Sequence, residues 1–325
     1  MRQCQVCGNS EGNKVYTVRE MMFGIRDEFS YFECSKCGCL QIAEVPNDLS
    51  KYYPKTYYSF SSSAPFPKAA RIMQYLRRRW YETGLLGKGG LIGKLLFAIR
   101  PNEYLRTHSL SQVPLTTESH ILDVGCGYGG FLYTFRELGF KNLMGIDAYI
   151  DVDIEHENGT EIRKGTIQDV SGKWDLVMFN HSFEHMPDQL ETLRKTSELL
   201  CKNGSCLINM PTVSSYAWKH YCENWVQLDA PRHLCIHSIK SMTLLADKAN
   251  LSLQNVTYNS YDLQFWGSEQ YLKNIPLRSE SSYAENPANS MFSWKQIETF
   301  KRKTKELNRT NQGDSTKFLL VKREE

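Results

Sequence analysis

The chain has 325 residues, 41% hydrophobic and 23% charged, the balance of a soluble globular protein long enough for one large domain and a smaller one. Its formal net charge of +3 is too small to imply nucleic acid as a partner, and no window approaches the roughly 18 apolar residues that span a bilayer. Met1-Arg2-Gln3-Cys4 contains no apolar signal core, and ten cysteines, several in close pairs, point to metal thiolates in a reducing, cytoplasmic setting rather than to disulfides.

Residues 1–45 carry two Cys-x-x-Cys pairs, Cys4/Cys7 and Cys34/Cys37, with 26 residues between them. Each pair is followed by a glycine, Gly8 or Gly38, and two such knuckles supply four thiolates to a closed tetrahedral site. Structural zinc is the expected occupant. Between the pairs, Lys14–Arg19 and Phe29–Glu33 alternate as short strands do. So small a module buries too little apolar surface to fold on that alone, and the metal would supply the difference. Cys39 reads as a small buried residue.

Residues 46–116 form a linker and a cap. The linker gathers prolines, serines and aromatics (Tyr52, Tyr53, Tyr57, Tyr58, Phe60), whose rings are expected to pack. The pattern then turns basic and helical: Arg71–Trp80 places apolar residues at 72, 73, 76 and 80, and Leu91–Ile99 is strongly apolar. Two helices joined by a Gly84–Gly90 hinge would make a lid. A solvated arginine face accounts for the charges, although a basic amphipathic segment could also make weak contact with a membrane surface.

From residue 117 onward, strands alternate with helices, which implies α/β architecture with a doubly wound, mostly parallel sheet of seven strands. The first strand ends in Asp123 and runs into Gly125-Cys126-Gly127-Tyr128-Gly129-Gly130. The second, Leu143–Ile146, ends at Asp147. Glycines let the backbone approach a ligand, helix-opening N–H groups hold polar atoms, and Asp147 is placed to accept from a ribose diol. The spacing also satisfies the dinucleotide pattern G-x-G-x-x-G, but Asp123 suits a cationic ligand better than a pyrophosphate. Glu161–Lys164, Trp174–Asn180 and Cys206–Pro211 read as further strands, with a turn at Lys202–Ser205. Leu251–Tyr258 and Thr316–Lys322 read as a final antiparallel pair, and residues 268–313 as a surface insertion with a helix at Trp294–Leu307.

Leu122-Asp123-Val124-Gly125-Cys126-Gly127-x-Gly129, taken with Asp147, the Trp174–Asn180 strand and the turn before the next one, resembles class I S-adenosylmethionine-dependent methyltransferases. That resemblance implies that Gly125 and Gly127 approach the methionine part of the cofactor and that Asp147 binds the ribose. It implies that Ala148 lies beside the adenine, Gln168 or Asp169 meets its amine, and Asn180 and His181 lie beneath the sulfonium. Tyr128 could add a cation–π contact. His181-Ser182-Phe183-Glu184-His185 also fits H-x-x-E-H, a zinc-protease pattern that belongs inside a helix, whereas here it follows a strand end and meets Pro187.

Pro231-Arg232-His233-Leu234 before a Ser238-capped helix resembles small-molecule methyltransferases found with bacterial surface-sugar and secondary-metabolite pathways. Sugar C-methyltransferases share the four-cysteine module as well. Their His-Glu-His element is reduced here to His233, which puts carbon methylation in doubt. Arg232 would suit an anionic substrate group. The candidate bases are His233, then His185 and His181. The expected function is methylation of a hydroxyl or carbon of a small metabolite such as a nucleotide-linked or surface sugar. The alternatives are a lipid-linked or quinone-like acceptor, and a non-catalytic scaffold that keeps the cofactor fold. RNA is disfavoured because the strand end reads Asn180-His181-Ser182-Phe183 rather than Asn-Pro-Pro-Tyr.

Overall fold

The computed structural model describes residues 3–54, 71–102, 105 and 108–323. Tyr57, Tyr58 and Phe60 of the aromatic linker lie outside the described residues. The chain forms two compact units: residues 1–54, 179–198 and 207–325 make the first, and residues 55–178 and 199–206 the second.

The second unit holds the parallel part of the sheet. β4 (His120–Val124) pairs in parallel with β5 (Asn142–Asp147) and with β8 (Trp174–Asn180), and β5 pairs in parallel with β7 (Glu161–Lys164). The two-residue β6 (Ile154–Glu155) closes the edge antiparallel to β7, a strand absent from the sequence reading. Within this unit the order is β9-β8-β4-β5-β7-β6, where β9 spans Leu200–Pro211. Strands covered on both faces read as unbroken apolar runs, and Ile121, Leu122, Leu176, Val177 and Met178 are fully buried. The turn expected at Lys202–Ser205 is part of β9 instead. Gly204 makes this possible: a Cβ there would stand 2.7 Å from the carbonyl of Trp174.

The basic segment forms α1 (Arg71–Tyr81) and α2 (Gly90–Ile99), with a π-helical turn at Glu82–Leu86 between them. The hinge is a close crossing rather than a loose joint. Cβ atoms on Gly89 and Gly93 would stand 2.2 and 2.4 Å from the Arg79 carbonyl. Glu82 bonds both Arg78 and Arg79 at 2.9 Å, so part of the arginine face is paired. Among the described residues no helix is long and apolar enough to cross a membrane.

In the first unit, β1 (Lys14–Arg19), β2 (Glu28–Glu33), β3 (Leu40–Ile42) and β10 (Cys235–Ile236) make a second, antiparallel sheet in that order. Its inner face packs Tyr16, Val18, Tyr31, Leu40 and Ile42 against Trp218, Trp225, Leu228 and Ile236. β11 (Leu251–Tyr258) and β12 (Ser315–Lys322) pair antiparallel as expected, in the order β11-β12-β9. Ser238 and Ser293 build capping boxes on the helices Ile239–Lys248 and Trp294–Arg309. The polar stretch 268–313 is more than a surface insertion: Tyr271, Ile297, Thr304 and Leu307 are buried.

Candidate functional site

In the second unit the parallel strands β4, β5 and β7 end at one edge, with Val124 opposite Ile146 and Asp147 opposite Lys164. The carboxyl ends of such strands are where open α/β sheets bind ligands. The glycine loop is tied down there. Gly125 N–H donates to the Ile146 carbonyl and Gly127 N–H to Asp147 Oδ2, both at 2.8 Å, while Tyr149 N–H donates to Asp147 Oδ1 at 2.8 Å. Asp147 is buried and holds the loop as well as being the expected ribose acceptor. Gly129 has φ +70°, and a Cβ on it would meet Ile162 at 2.2 Å. Only glycine fits that turn.

The other expected cofactor contacts lie around this edge. Asp123 is buried, Cys126 and Tyr128 are half-buried, and Ala148 and Gln168 are exposed. Burial first, then Asp123 and Asp147, push the Cys126 thiol well up, so it stays protonated. The Asp169 carboxylate caps its own turn, accepting from the Thr166 N–H at 2.8 Å and its hydroxyl at 3.0 Å. Of the two residues expected at the adenine amine, Gln168 is the one whose side chain no such turn engages. Asn180, half-buried, ends β8 in the first unit.

The first unit brings the three candidate histidines together around Glu184, which is fully buried. His181 Nδ1 lies 3.5 Å and His233 Nε2 3.9 Å from Glu184 Oε1, and the rings of His185 and His233 are 4.7 Å apart. Carbonyl oxygens can only accept, which fixes two tautomers. His233 Nδ1–H donates to Gln227 O at 2.7 Å, and His185 Nδ1–H to Arg232 O at 2.9 Å, with the Tyr53 hydroxyl 3.1 Å from the same nitrogen. In both rings Nε2 is therefore the nitrogen left for another partner. For His181 the order is reversed: Asn259 donates to the Asn209 carbonyl oxygen at 2.8 Å, and Asn209 donates to His181 Nε2 at 3.1 Å. His181 thus presents Nδ1–H toward Glu184. Burial pushes Glu184 upward, but the three histidines outweigh it and hold the carboxyl below its ordinary value. Burial, reinforced by His233, pushes His185 down to about 4 and keeps it neutral.

Arg232 is placed differently from the expected contact with a substrate anion. Its Nε donates to Asp229 at 2.9 Å, Nη1 to Tyr52 O at 3.0 Å, and Nη2 to Asp229 at 2.6 Å and Glu20 at 3.0 Å. The side chain is fully buried within this set. Glu20, Asp229 and Asn209 were not singled out by sequence reasoning, and Tyr53 was expected only to pack. Glu20 lies 212 residues from Arg232, a separation across which no local pattern carries a signal.

At the N-terminal sheet, one sulfur of each of Cys4, Cys7, Cys34 and Cys37 lies within 4.8 Å of the others. Cys4–Cys37 and Cys7–Cys34 are 3.6 and 3.5 Å apart, against about 3.8 Å for the edge of a tetrahedron with Zn–S bonds of ~2.3 Å. Gly8 N–H donates to Cys4 O and Gly38 N–H to Cys34 O, both at 2.8 Å, which makes the two knuckles alike. Gln41 donates to Cys4 Sγ at 3.0 Å, and Ser238 to Cys37 O at 2.6 Å. The four sulfurs could hold a tetrahedral metal. Cys39 is buried, 3.1 Å from Cys235 Sγ.

Residues 98–256 match a family model described as a methyltransferase domain. The match covers just under half of the chain and includes the glycine loop, Asp147, Glu184 and His233. A sarcosine/dimethylglycine N-methyltransferase from Halorhodospira halochloris is 33% identical over 118 residues, which are 33% of this chain and 42% of that protein. The chain thus spans less than half the length of that relative. Among solved structures, a SAM-dependent methyltransferase from Archaeoglobus fulgidus aligns with a TM-score of 0.42 and 17% identity, covering 71% of this chain and 98% of that one. The cyclopropane synthase MmaA2 from Mycobacterium tuberculosis aligns with a TM-score of 0.40 and 11% identity, covering 79% and 100%. The stretch similar to a methyltransferase domain thus coincides with the Rossmann-like, mostly parallel part of the sheet.

Proposed function

We propose that the protein transfers a methyl group from S-adenosylmethionine to a hydroxyl or carbon of a small metabolite, with a nucleotide-linked or surface-polysaccharide sugar as the acceptor class. The observation that carries this reading is the glycine loop bonded to Asp147 at the carboxyl edge of a parallel sheet, within the stretch that matches the methyltransferase domain. Gly125 and Gly127 approach the methionine part, Asp147 accepts from the ribose, Ala148 lies along the adenine and Gln168 meets its amine. When bound, the cofactor supplies an activated methyl on a sulfonium. Its transfer is an in-line displacement that depends above all on alignment. The Glu184 cluster handles the acceptor proton, with the Nε2 lone pair of His233 foremost. Zinc on Cys4, Cys7, Cys34 and Cys37 is structural, because four protein ligands close its coordination.

Calorimetric binding of S-adenosylhomocysteine to zinc-loaded protein tests the reading, with NAD and Asp147→Ala as controls. Micromolar binding that Asp147→Ala abolishes is expected, with no response to NAD. A folded protein that binds neither compound would be a scaffold, not an enzyme. His233→Ala is expected to lose turnover with cofactor binding intact.

One observation favours a lipid-linked or quinone-like acceptor as a second reading. Leu91, Leu95 and Ile99 of α2 are 88, 62 and 72% exposed, beside Lys94 and Arg100. Co-flotation with anionic liposomes would support it, and full recovery in the soluble fraction would leave the sugar reading.

A further inference from the structure

Glu184, His185 and His233 bring three electron-pair donors together in the first unit. Glu184 is fully buried and neither of its carboxylate oxygens has a hydrogen-bond partner among the described residues. His181 Nδ1 stands 3.5 Å from Oε1, at the outer limit of a hydrogen bond. A buried carboxylate left in that state is costly, and native proteins rarely keep one without an occupant. The two imidazoles stand beside it without hydrogen-bonding to it. Each spends its Nδ1–H on a backbone carbonyl, His185 on Arg232 and His233 on Gln227, which leaves Nε2 of each ring for another partner. His233 Nε2 faces Glu184 Oε1 at 3.9 Å. His233 Nε2 and the Glu184 carboxylate thus face one another without a hydrogen bond, at a spacing that a shared cation would bridge.

The arrangement meets the requirements of a metal site. One ligand atom from each of Glu184, His185 and His233 lies within 4.8 Å of the other two. Ligands about 2.0–2.2 Å from a shared cation lie roughly 3–4 Å from one another, so a contraction of about 1 Å closes the set. Bonds from Nδ1–H to fixed carbonyls are the outer contacts that orient metal-binding histidines. The charge balance points the same way: Glu20 and Asp229 share the single guanidinium of Arg232, leaving Glu184 without a fixed counter-charge.

We propose that Glu184, His185 and His233 bind a divalent first-row transition-metal cation. Two imidazoles and a carboxylate suit Zn²⁺, Mn²⁺, Fe²⁺ or Co²⁺, in contrast to the all-thiolate site. Three protein ligands leave a position open for water or a substrate oxygen. On the proposed methyl-transfer function that position would take the acceptor hydroxyl, and His233 would act as a ligand rather than as a base. The binding of metal rests on the geometry alone.

Protein carrying one zinc on its four cysteines is titrated with Mn²⁺, followed by calorimetry and by the loss of the free-ion paramagnetic resonance signal. Mn²⁺ prefers oxygen and nitrogen donors, so the thiolates do not compete. One equivalent bound by the unaltered chain is expected, with affinity at least about tenfold weaker in Glu184→Gln and in His233→Ala, both retaining their zinc and a cooperative thermal transition without Mn²⁺. If Glu184→Gln fails to fold, His185→Gln carries the same comparison. Folded protein that binds no Mn²⁺, Co²⁺ or second Zn²⁺, or variants with unchanged affinity, would overturn the proposal. The readout is metal and not methylation, so failure here is separate from failure to bind S-adenosylhomocysteine.

Discussion

A guanidinium held between two carboxylates and out of solvent cannot be removed without stranding charge. Arg232 is in that position, against Asp229 and Glu20. Breaking a buried pair from one side costs about 3–5 kcal/mol. Arg232→Ala is expected to lose stability of that order in urea unfolding, and unchanged stability with a raised KM would return the residue to substrate binding. Asp314 makes a second residue-scale prediction. Burial pushes its carboxyl up to about 6, although Trp225 Nε1–H donates to it at 3.0 Å. The folded chain then holds this proton more tightly than the unfolded one, so stability is greatest below pH 4 for this group and falls as pH rises through 6. The loss is at most about 3 kcal/mol. Asp314→Asn removes it, and the two proteins should diverge in urea midpoint between pH 4 and 7.5. Asp147 and the glycine loop were legible in sequence because the loop is contiguous and its acceptor follows the next strand. Glu184 and His185 are adjacent in the sequence, but their convergence with His233 depends on a chain return 48 residues later, and the Glu20–Arg232 pair on a longer one.

Elements with a local cause were legible, and those with a tertiary cause were not. Ser238 announced its helix through capping chemistry, and the helix from Trp294 and the antiparallel pair β11 and β12 lie where they were expected. Lys202-Asn203-Gly204-Ser205 carries turn residues yet lies in β9, because Gly204 is needed for close approach to Trp174 rather than for a bend. The α1–α2 crossing depends on glycine in the same way. Gly93→Ala puts a Cβ 2.4 Å from the Arg79 carbonyl and should cost about 1–3 kcal/mol in thermal unfolding. Leu91→Ala, at an 88% exposed position on the same helix, should change stability by under about 0.5 kcal/mol. Equal effects would mean that the crossing is not close-packed.

The linear reading separated residues 1–45 as a module, but the folded chain shares that segment's core with distant residues. β3 pairs with β10, and Tyr31 donates its hydroxyl to the His233 carbonyl at 2.9 Å. Deleting residues 1–45 strips one face from Trp218, Trp225 and Ile236. The remaining chain is expected to lose its near-ultraviolet circular dichroism and to expose apolar surface to a dye. A cooperative thermal transition in residues 46–325 would show that the N-terminal sheet is an accessory.

The β3–β10 pairing also sets an order of events during synthesis. β3 is complete at Ile42, but its partner strand begins at Cys235. At about 5–20 residues per second, the ribosome takes roughly 10–40 s to deliver that partner. Through that interval the edge of β3 is an open template for other chains. The four cysteines, all translated by residue 37, can close on a metal before β3 is finished. The knuckles would then act as a clasp on the nascent chain, keeping the first hairpin in register until β10 emerges to cover it.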